Sequence, residues 1–337
     1  MKRRDWIYLI ILIAVIAFSA YRWFTRTYTD YRQAQLLDTN VNILATGDSP
    51  SIGAAIDSTM AYIGRLEDSL SYYIPGSRLD RLNANPADSV AVCADLQSML
   101  CLADTLWHST GGQYDVTIGA LSDLWDFVEC VRPDSAAIDS ALAHTGWQRV
   151  TLGNGWLKRP QGVRINLGSV AKGYIIDKAV EYLQAHGAIS GHVDAGGDIR
   201  YFGGKRHHTV GIQHPRGRTY LDVIAVLSLP PVAVVTSGDY ERAFELDGVR
   251  YHHILDPKTG WPVRGTISVT VIAPSATLAD ALATSLFLVP PQQGIEMLKQ
   301  WPGTDAIIYY RDGDEIISLK SMGMKDYLVS ENEQATL

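Results

Sequence analysis

The chain has 337 residues, 47% of them apolar and 19% charged, with a formal net charge of −7. That composition supports one large folded domain or two ordinary ones and excludes a disordered chain. The acidic balance argues against a nucleic-acid binder, which normally carries a basic patch. Cys93, Cys101 and Cys130 are too few and too scattered for a disulfide scaffold or a zinc site. Cys93 and Cys101 would stand roughly 12 Å apart on an expected helix, too far for a bridge. Buried thiols are the expectation.

Lys2, Arg3 and Arg4 precede the uncharged run Trp6–Tyr21, WIYLIILIAVIAFSAY. As a helix this run spans roughly 24 Å, slightly short of a hydrocarbon core of about 30 Å. Arg22 can snorkel, and Trp23 and Phe24 extend the apolar flank. Two readings compete, an uncleaved signal anchor and a signal peptide cut near Ala17-Phe18-Ser19. The aromatic and basic residues directly after the run favour the anchor. Positive charge follows the run at Arg22, Arg26 and Arg32, so the charge rule orients the N-terminus toward the cytoplasm only weakly. No cysteine lies close behind, which excludes a lipid-anchored form, and most of the chain is expected to be exported. Residues 1–24 are thus assigned to an anchor or signal segment and 25–34, TRTYTDYRQA, to a polar tether. Residues 35–330 form one continuous catalytic domain, and 331–337 a disordered tail.

LLDTNVNILA, from Leu36 to Ala45, suggests a strand entering the domain. Ile52, Ile56, Met60, Ile63, Leu66 and Leu70 recur at spacings that predict an amphipathic helix over 51–70, capped by Ser49 or Ser51. Pro75-Gly76-Ser77 mark a turn, and 94–108 reads as a second helix ending at Gly111-Gly112. Those glycines either admit a ligand near the backbone or cap the helix. Gly153-Asn154-Gly155 has the look of a hairpin turn. A strand ending at Asn166 leads through Leu167-Gly168-Ser169-Val170 into a helix over 171–186. Backbone amides at that helix start, with Lys172 nearby, suit a pyrophosphate, although the spacing of a P-loop is absent. Asp194-Ala195-Gly196-Gly197-Asp198 reads as a structural turn, with Asp177 and Asp198 left as structural residues. Strands are expected at 208–213, 221–228 and 232–236, and TSGDYER, 236–242, reads as a polar loop. A strand at 249–254 follows, then strand 267–273, helices 276–287 and 292–300, and strands 305–310 and 314–319. Trp107, Trp125 and Trp147 are expected to pack in the interior.

The stretch with most chemistry runs from Tyr251 to Thr284, YHHILDPKTGWPVRGTISVTVIAPSATLADALAT. A histidine is the usual proton acceptor near neutral pH. Asp280 and Thr284 share one helix face and make a partial oxygen site for a hard cation such as Mg²⁺. His252 and His253 also fit one buried and one outward strand position, and Asp256 is better suited to serving its own turn.

In order along the chain stand the glycine loop at 111–115, LGSVAKGY, DAGGD, TSGDYER and HILDPKTGWP, followed by ADALAT. That series resembles the ApbE family of FAD:protein FMN transferases over about residues 35–330. The resemblance implies an α/β (α+β) protein of the T-fold type, exported and membrane-anchored at the periplasmic face of a bacterial inner membrane. It implies Mg²⁺-dependent cleavage of FAD, release of AMP, and FMN left as a phosphoester on a threonine or serine of an acceptor flavoprotein. The acceptors implied are membrane redox-pump subunits with an Asp-Gly-x-Ser/Thr-Gly-Ala/Ser-Thr type segment.

Residue by residue, the resemblance implies Asp280, Thr284 and Ser169 as metal ligands and His253 as base. Leu37, Tyr73, Gln113, Tyr114, Asp115, Asn166, Lys172 and Ile254 fall at FAD-contacting positions. Asn166 stands where many members have aspartate, and Leu37 where several have methionine, a swap close in volume. The residue types agree with the chemistry on their own account. An alcohol attacking a phosphoanhydride needs a proton acceptor, charge neutralisation and alignment. An FAD pyrophosphatase and a non-catalytic FAD-binding module are the competing readings.

Overall fold

The computed structural model describes residues 3–219 and 221–332. The helices are α1 (Arg3–Phe24), α2 (Ile52–Leu70), α3 (Arg78–Ala84), α4 (Ala94–Ser109), α5 (Gly119–Ser122), α6 (Ser135–Leu142), α7 (Ala171–Ala185), α8 (Ala276–Leu288) and α9 (Pro291–Met297). The strands are β1 (Tyr28–Leu36), β2 (Thr39–Gly47), β3 (Ser89–Ala91), β4 (Thr151–Gly153), β5 (Trp156–Lys158), β6 (Ala188–Ala195), β7 (Asp198–Phe202) and β8 (His208–Gln213). They continue with β9 (Val223–Leu229), β10 (Ala233–Gly238), β11 (Ala243–Leu246), β12 (Val249–His252), β13 (Thr266–Ala273), β14 (Asp305–Asp312), β15 (Glu315–Lys320) and β16 (Leu328–Glu331). This is a mixed α/β fold.

Its spine is a sheet of order β1-β2-β6-β7-β10-β13-β14-β15, in which every neighbouring pair is antiparallel. On one face α2, α7 and α8 pack side by side, and Ile56, Ile63, Val180, Val235, Val271 and Phe287 join one core. The opposite face carries a second core, in which Val234, Ile272 and Ile307 meet Ile212, Ile224 and Leu227 of the smaller sheet β16-β9-β8. Successive side chains of a strand point to opposite faces, so a strand covered on both sides must be apolar throughout. β13, TISVTVIA, is buried at every position. A third core of Leu121, Trp125, Ile138, Phe244, Tyr251 and Leu255 supports the β11–β12 hairpin.

Several sequence expectations need correction. Most of the segment read as a tether is strand β1, which pairs with β2 from Tyr28↔Gly47 to Leu36↔Thr39. Its polar residues misled because β1 is an edge strand with every second side chain exposed. The strand expected from Leu36 instead begins at Thr39. Leu37 and Asp38 form a two-residue turn with φ of 57° and 56°, the left-handed pair that matches hairpin twist. The strand expected to end at Asn166 reduces to one bridge, Ile118↔Arg164. The loop after Gly238 leads into an unforeseen strand, β11. Glu331 is not tail but closes β16 and accepts from Tyr309 Oη at 3.2 Å. Asn332 is also held, its amide donating to the Ile224 carbonyl at 2.8 Å, and the rest of the expected tail, 333–337, lies outside the described residues. Cys101 and Cys130 are exposed rather than buried, and Cys93 is half-buried.

The helix layer is closed by small residues and one buried carboxylate. Asp177 of α7 accepts from the backbone amides of Ala276 and Thr277, both at 2.9 Å, so it ties α7 to the start of α8. It also bonds Arg200 of β7. Four residues earlier, Gly173 lets the helices touch. A Cβ there would lie 2.2 Å from the Ala276 carbonyl oxygen and 2.8 Å from Asp280 Cβ. Gly173→Ala must therefore separate α7 from α8, costing about 1–3 kcal/mol as overpacking does. Thermal unfolding will show the loss, whereas Gly64→Ala on α2, where the added Cβ meets only Leu36 Cδ2 at an ordinary 3.7 Å, will not.

Candidate active site

The Gly173 contact decides where two functional groups meet. Lys172 stands in the first turn of α7, and Asp280 faces it from the second turn of α8. The Gly173 amide donates to Asp280 Oδ2 at 2.8 Å. Thr284 follows one turn later on α8. Ser285 beside it donates back to the Ala281 carbonyl at 2.7 Å, whereas Thr284 reaches the cavity.

That cavity measures about 810 Å³. All twelve residues picked out from the sequence line it: Leu37, Tyr73, Gln113, Tyr114, Asp115, Asn166, Ser169, Lys172, His253, Ile254, Asp280 and Thr284. They come from the β1–β2 turn, the end of α2, the loop after α4, the approach to α7, the segment after β12, and α8. Only packing of the whole sheet-and-helix body brings them together.

The local devices differ along the wall. Gly111 and Gly112 have φ of 61° and 82°, and the Gly112 amide donates to the Trp107 carbonyl at 2.8 Å. Those glycines cap α4, and the cavity begins at Gln113. The Gln113 Oε1 atom is buried without a hydrogen-bond partner. Tyr114 Oη and Ser169 Oγ are 2.8 Å apart, and burial pushes the Tyr114 phenol well above its usual range. Asp115 is committed to shaping its own loop, accepting from Thr117 N at 2.7 Å and Trp147 N at 2.8 Å. Asn166 likewise accepts from Gly168 N at 2.9 Å and donates to Ser122 Oγ at 3.1 Å. Tyr73 stands 63% exposed at the rim, braced edge-on by Tyr72 at 5.2 Å.

Electrostatics give the site its character. Lys172 Nζ pairs with Asp198 Oδ2 at 2.7 Å. Burial alone would lower the lysine, but Asp198, Glu241 and Asp280 hold it well above its usual range. Asp280 is pushed up to about 7, first by burial and then by Asp198, against the pull of Lys172. Asp198 is raised by burial despite its lysine. Glu241 rises to about 7, burial driving it up while Lys172 pulls back. Its side chain keeps contact with solvent, so screening makes its charge count for less than that of Asp280. Three carboxylates therefore face one ammonium, and full ionisation leaves an excess of negative charge.

Such a place suits a small divalent cation. Mg²⁺ commonly takes one or two carboxylates and completes its shell with substrate phosphates and water. Among the described residues no group of three His, Cys, Asp or Glu forms a metal cage by itself. Asp280, Thr284 and Ser169 line the same cavity and are the oxygens that could serve such an ion.

The two histidines divide their roles. His252 is buried, with Nε2 and the Val263 carbonyl 2.8 Å apart. His253 lines the cavity, its amide donates to the Arg242 carbonyl at 3.1 Å, and its Nδ1 is buried without a partner. Burial, then His252, Arg242 and Lys172, lower it to about 3, so the imidazole is neutral at physiological pH. Asp256 accepts from Lys258 N at 2.8 Å, serving its turn as expected.

Asp198 corrects its reading as structural, because it is the ion-pair partner of Lys172 in the cavity. Glu241 was missed inside a stretch taken as a polar loop. Both lie in the two acidic motifs DAGGD and TSGDYER, yet nothing local says that these turns converge on one lysine. Trp125 packs in the third core as expected and also lines the cavity, where its ring stacks on Phe127 at 5.9 Å.

The model of the ApbE family matches residues 37–308. The chain belongs to the ApbE family. An FAD:protein FMN transferase of Treponema pallidum is 33% identical over 309 residues, 84% of this chain and 85% of that protein. One from Vibrio cholerae is 34% identical over 258 residues, 74% and 76% of the two chains. The crystal structure of the ApbE protein from Thermotoga maritima superposes with a TM-score of 0.81 at 34% identity, covering 90% of this chain and all of that one. The flavin transferase ApbE from Vibrio cholerae gives 0.77 at 27% identity over 90% of this chain and 100% of its own.

The raised Asp280 has a signed consequence. An acid whose folded pKa lies above its unfolded 3.8 binds its proton more tightly in the folded state. Folding stability from this group is then lost as pH rises from about 4 to about 7. His253 acts in the opposite direction below pH 6.5, so the contribution is read as a difference between variants. With chelator present, the melting-temperature gain of Asp280→Asn over the unaltered chain should grow across that range. Mg²⁺ at pH 8 should stabilise only the unaltered chain. A gain that is constant with pH contradicts the assignment.

Proposed function

We propose that this member of the ApbE family is a Mg²⁺-dependent FAD:protein FMN transferase. The observation that carries the reading is the convergence of His253, Lys172 and the Asp280–Thr284 helix face on one cavity, in a chain whose relatives bear that name. FAD is the donor substrate. Tyr73 at the rim offers an aromatic face to one of its rings, and the buried Gln113 Oε1 offers an acceptor to a ring N–H. Lys172 is suited to the diphosphate, whereas the helix-start amides expected to help it are committed, Val170 and Ala171 to the Leu167 carbonyl and Gly173 to Asp280.

In the reaction a serine or threonine oxygen of an acceptor flavoprotein bonds to the FMN-side phosphorus. The bond from that phosphorus to the AMP oxygen breaks, AMP leaves, and FMN remains as a phosphoester. His253 takes the hydroxyl proton. Its imidazole is a weak base, lowered first by burial and then by His252, Arg242 and Lys172. An anionic diphosphate offsets the two cations, the smaller part of that lowering, and so favours proton uptake. Asp280, Thr284 and Ser169 would hold Mg²⁺, which when bound neutralises charge on the phosphates. Asp198 keeps Lys172 in place, and Asp115 and Asn166 act by fixing the loops that line the nucleotide.

The apolar helix α1 serves as an uncleaved anchor, with the catalytic domain on the extracytoplasmic side of the bacterial inner membrane. Its segment Trp6–Trp23 has a mean hydropathy of 1.8, and none of it is buried against the protein. The acceptor is a flavoprotein of the same compartment, such as a membrane redox-pump subunit.

The test incubates the whole chain with FAD, Mg²⁺ and a threonine-bearing acceptor, and follows AMP release and covalent flavin fluorescence. Transfer is expected, and His253→Ala should slow it by at least about 100-fold while FAD still quenches on binding. Free FMN as the main product would instead identify a pyrophosphatase, and undiminished transfer by His253→Ala would remove the base.

A further inference from the structure

The junction between α1 and the catalytic domain is too short to be a tether. Helical bonding continues past Phe24. The Thr25 amide donates to the Tyr21 carbonyl at 2.9 Å, and the Arg26 amide to the Trp23 carbonyl at 3.4 Å. Thr25 Oγ1 adds a second bond to the Tyr21 carbonyl at 2.8 Å. The Arg26 guanidinium then lies 4.8 Å from the centre of the Tyr28 ring, so it braces the helix end against the first residue of β1.

β1 leads from this junction to the cavity. Its Tyr28 end pairs with Gly47, and at its far end the Leu37-Asp38 turn forms part of the cavity rim. The segment 25–27 spans at most about 14 Å, and β1 runs about 27 Å at roughly 3.4 Å per residue. The rim at Leu37 therefore stands no more than about 40 Å from the end of α1, whichever way the domain leans. Because β1 is locked into the sheet by its full ladder to β2, that limit cannot stretch without unpairing the edge of the fold.

We propose that this junction is a ruler: the enzyme modifies hydroxyls of proteins held in the same membrane, and only those carried within about 40 Å of the surface where α1 ends. The inference rests on the transferase reading and adds to it a geometric filter on the acceptor.

The test uses the whole chain in vesicles with a single-span test acceptor carrying the threonine segment described above. A stiff helical spacer sets its hydroxyl at about 30 Å or about 70 Å from the bilayer. We expect the near acceptor to be labelled at least about tenfold faster. A Gly/Ser insert of about 30 residues between Arg26 and Thr27, which adds roughly 30 Å of reach, should recover the far one. Equal rates for near and far acceptors with the native junction overturn the proposal. So does recovery from carbonate-washed membranes of a soluble chain beginning near Ala20. In detergent the same enzyme should label both acceptors equally; if it labels neither, the transferase reading falls and takes the ruler with it.

Discussion

Lys172 is one ammonium among three carboxylates, and the site depends on how the fold enforces that imbalance. Asp198 pairs with it directly, while Asp280 and Glu241 are near enough to raise its basicity and to have their own ionisation opposed. Buried like charges are unfavourable unless something neutralises them. The body of the protein supplies the stability that holds them: two apolar cores on opposite faces of one antiparallel sheet, and helices fixed by Asp177. In the proposed reaction a cation on Asp280 would lower that cost.

The absence of a side chain at Gly173 makes this possible. With a Cβ there, α7 and α8 could not close to the distance at which the Gly173 amide reaches Asp280. α8 is apolar on nearly all sides and buried along most of its length, so its one carboxylate is placed with little freedom. A rigidly held, mostly buried acid that lines the cavity suits a hard cation.

Much of this was legible in the sequence, for reasons that differ by residue. Helical periodicity located α2, and ordered motifs brought all twelve named residues to one cavity. The edge strand β1 was not legible, because alternation with polar residues on an exposed edge looks like a solvated linker. The Leu37-Asp38 turn was hidden because leucine is not a usual choice for left-handed backbone, although aspartate tolerates it. Asp198 and Glu241 could be seen as acids in turns, but their shared lysine is a tertiary fact. Asp115 and Asn166 show the reverse case, since their motif positions suggested ligand contacts while their hydrogen bonds go to the loops that carry them.

The most direct test of this account is calorimetric titration of FAD into the whole chain and into Asp280→Asn, each with and without Mg²⁺. The charge argument predicts that Mg²⁺ strengthens FAD binding by about tenfold or more in the unaltered chain, roughly 1.4 kcal/mol, and leaves Asp280→Asn unchanged. The same Mg²⁺ dependence in both proteins would contradict it.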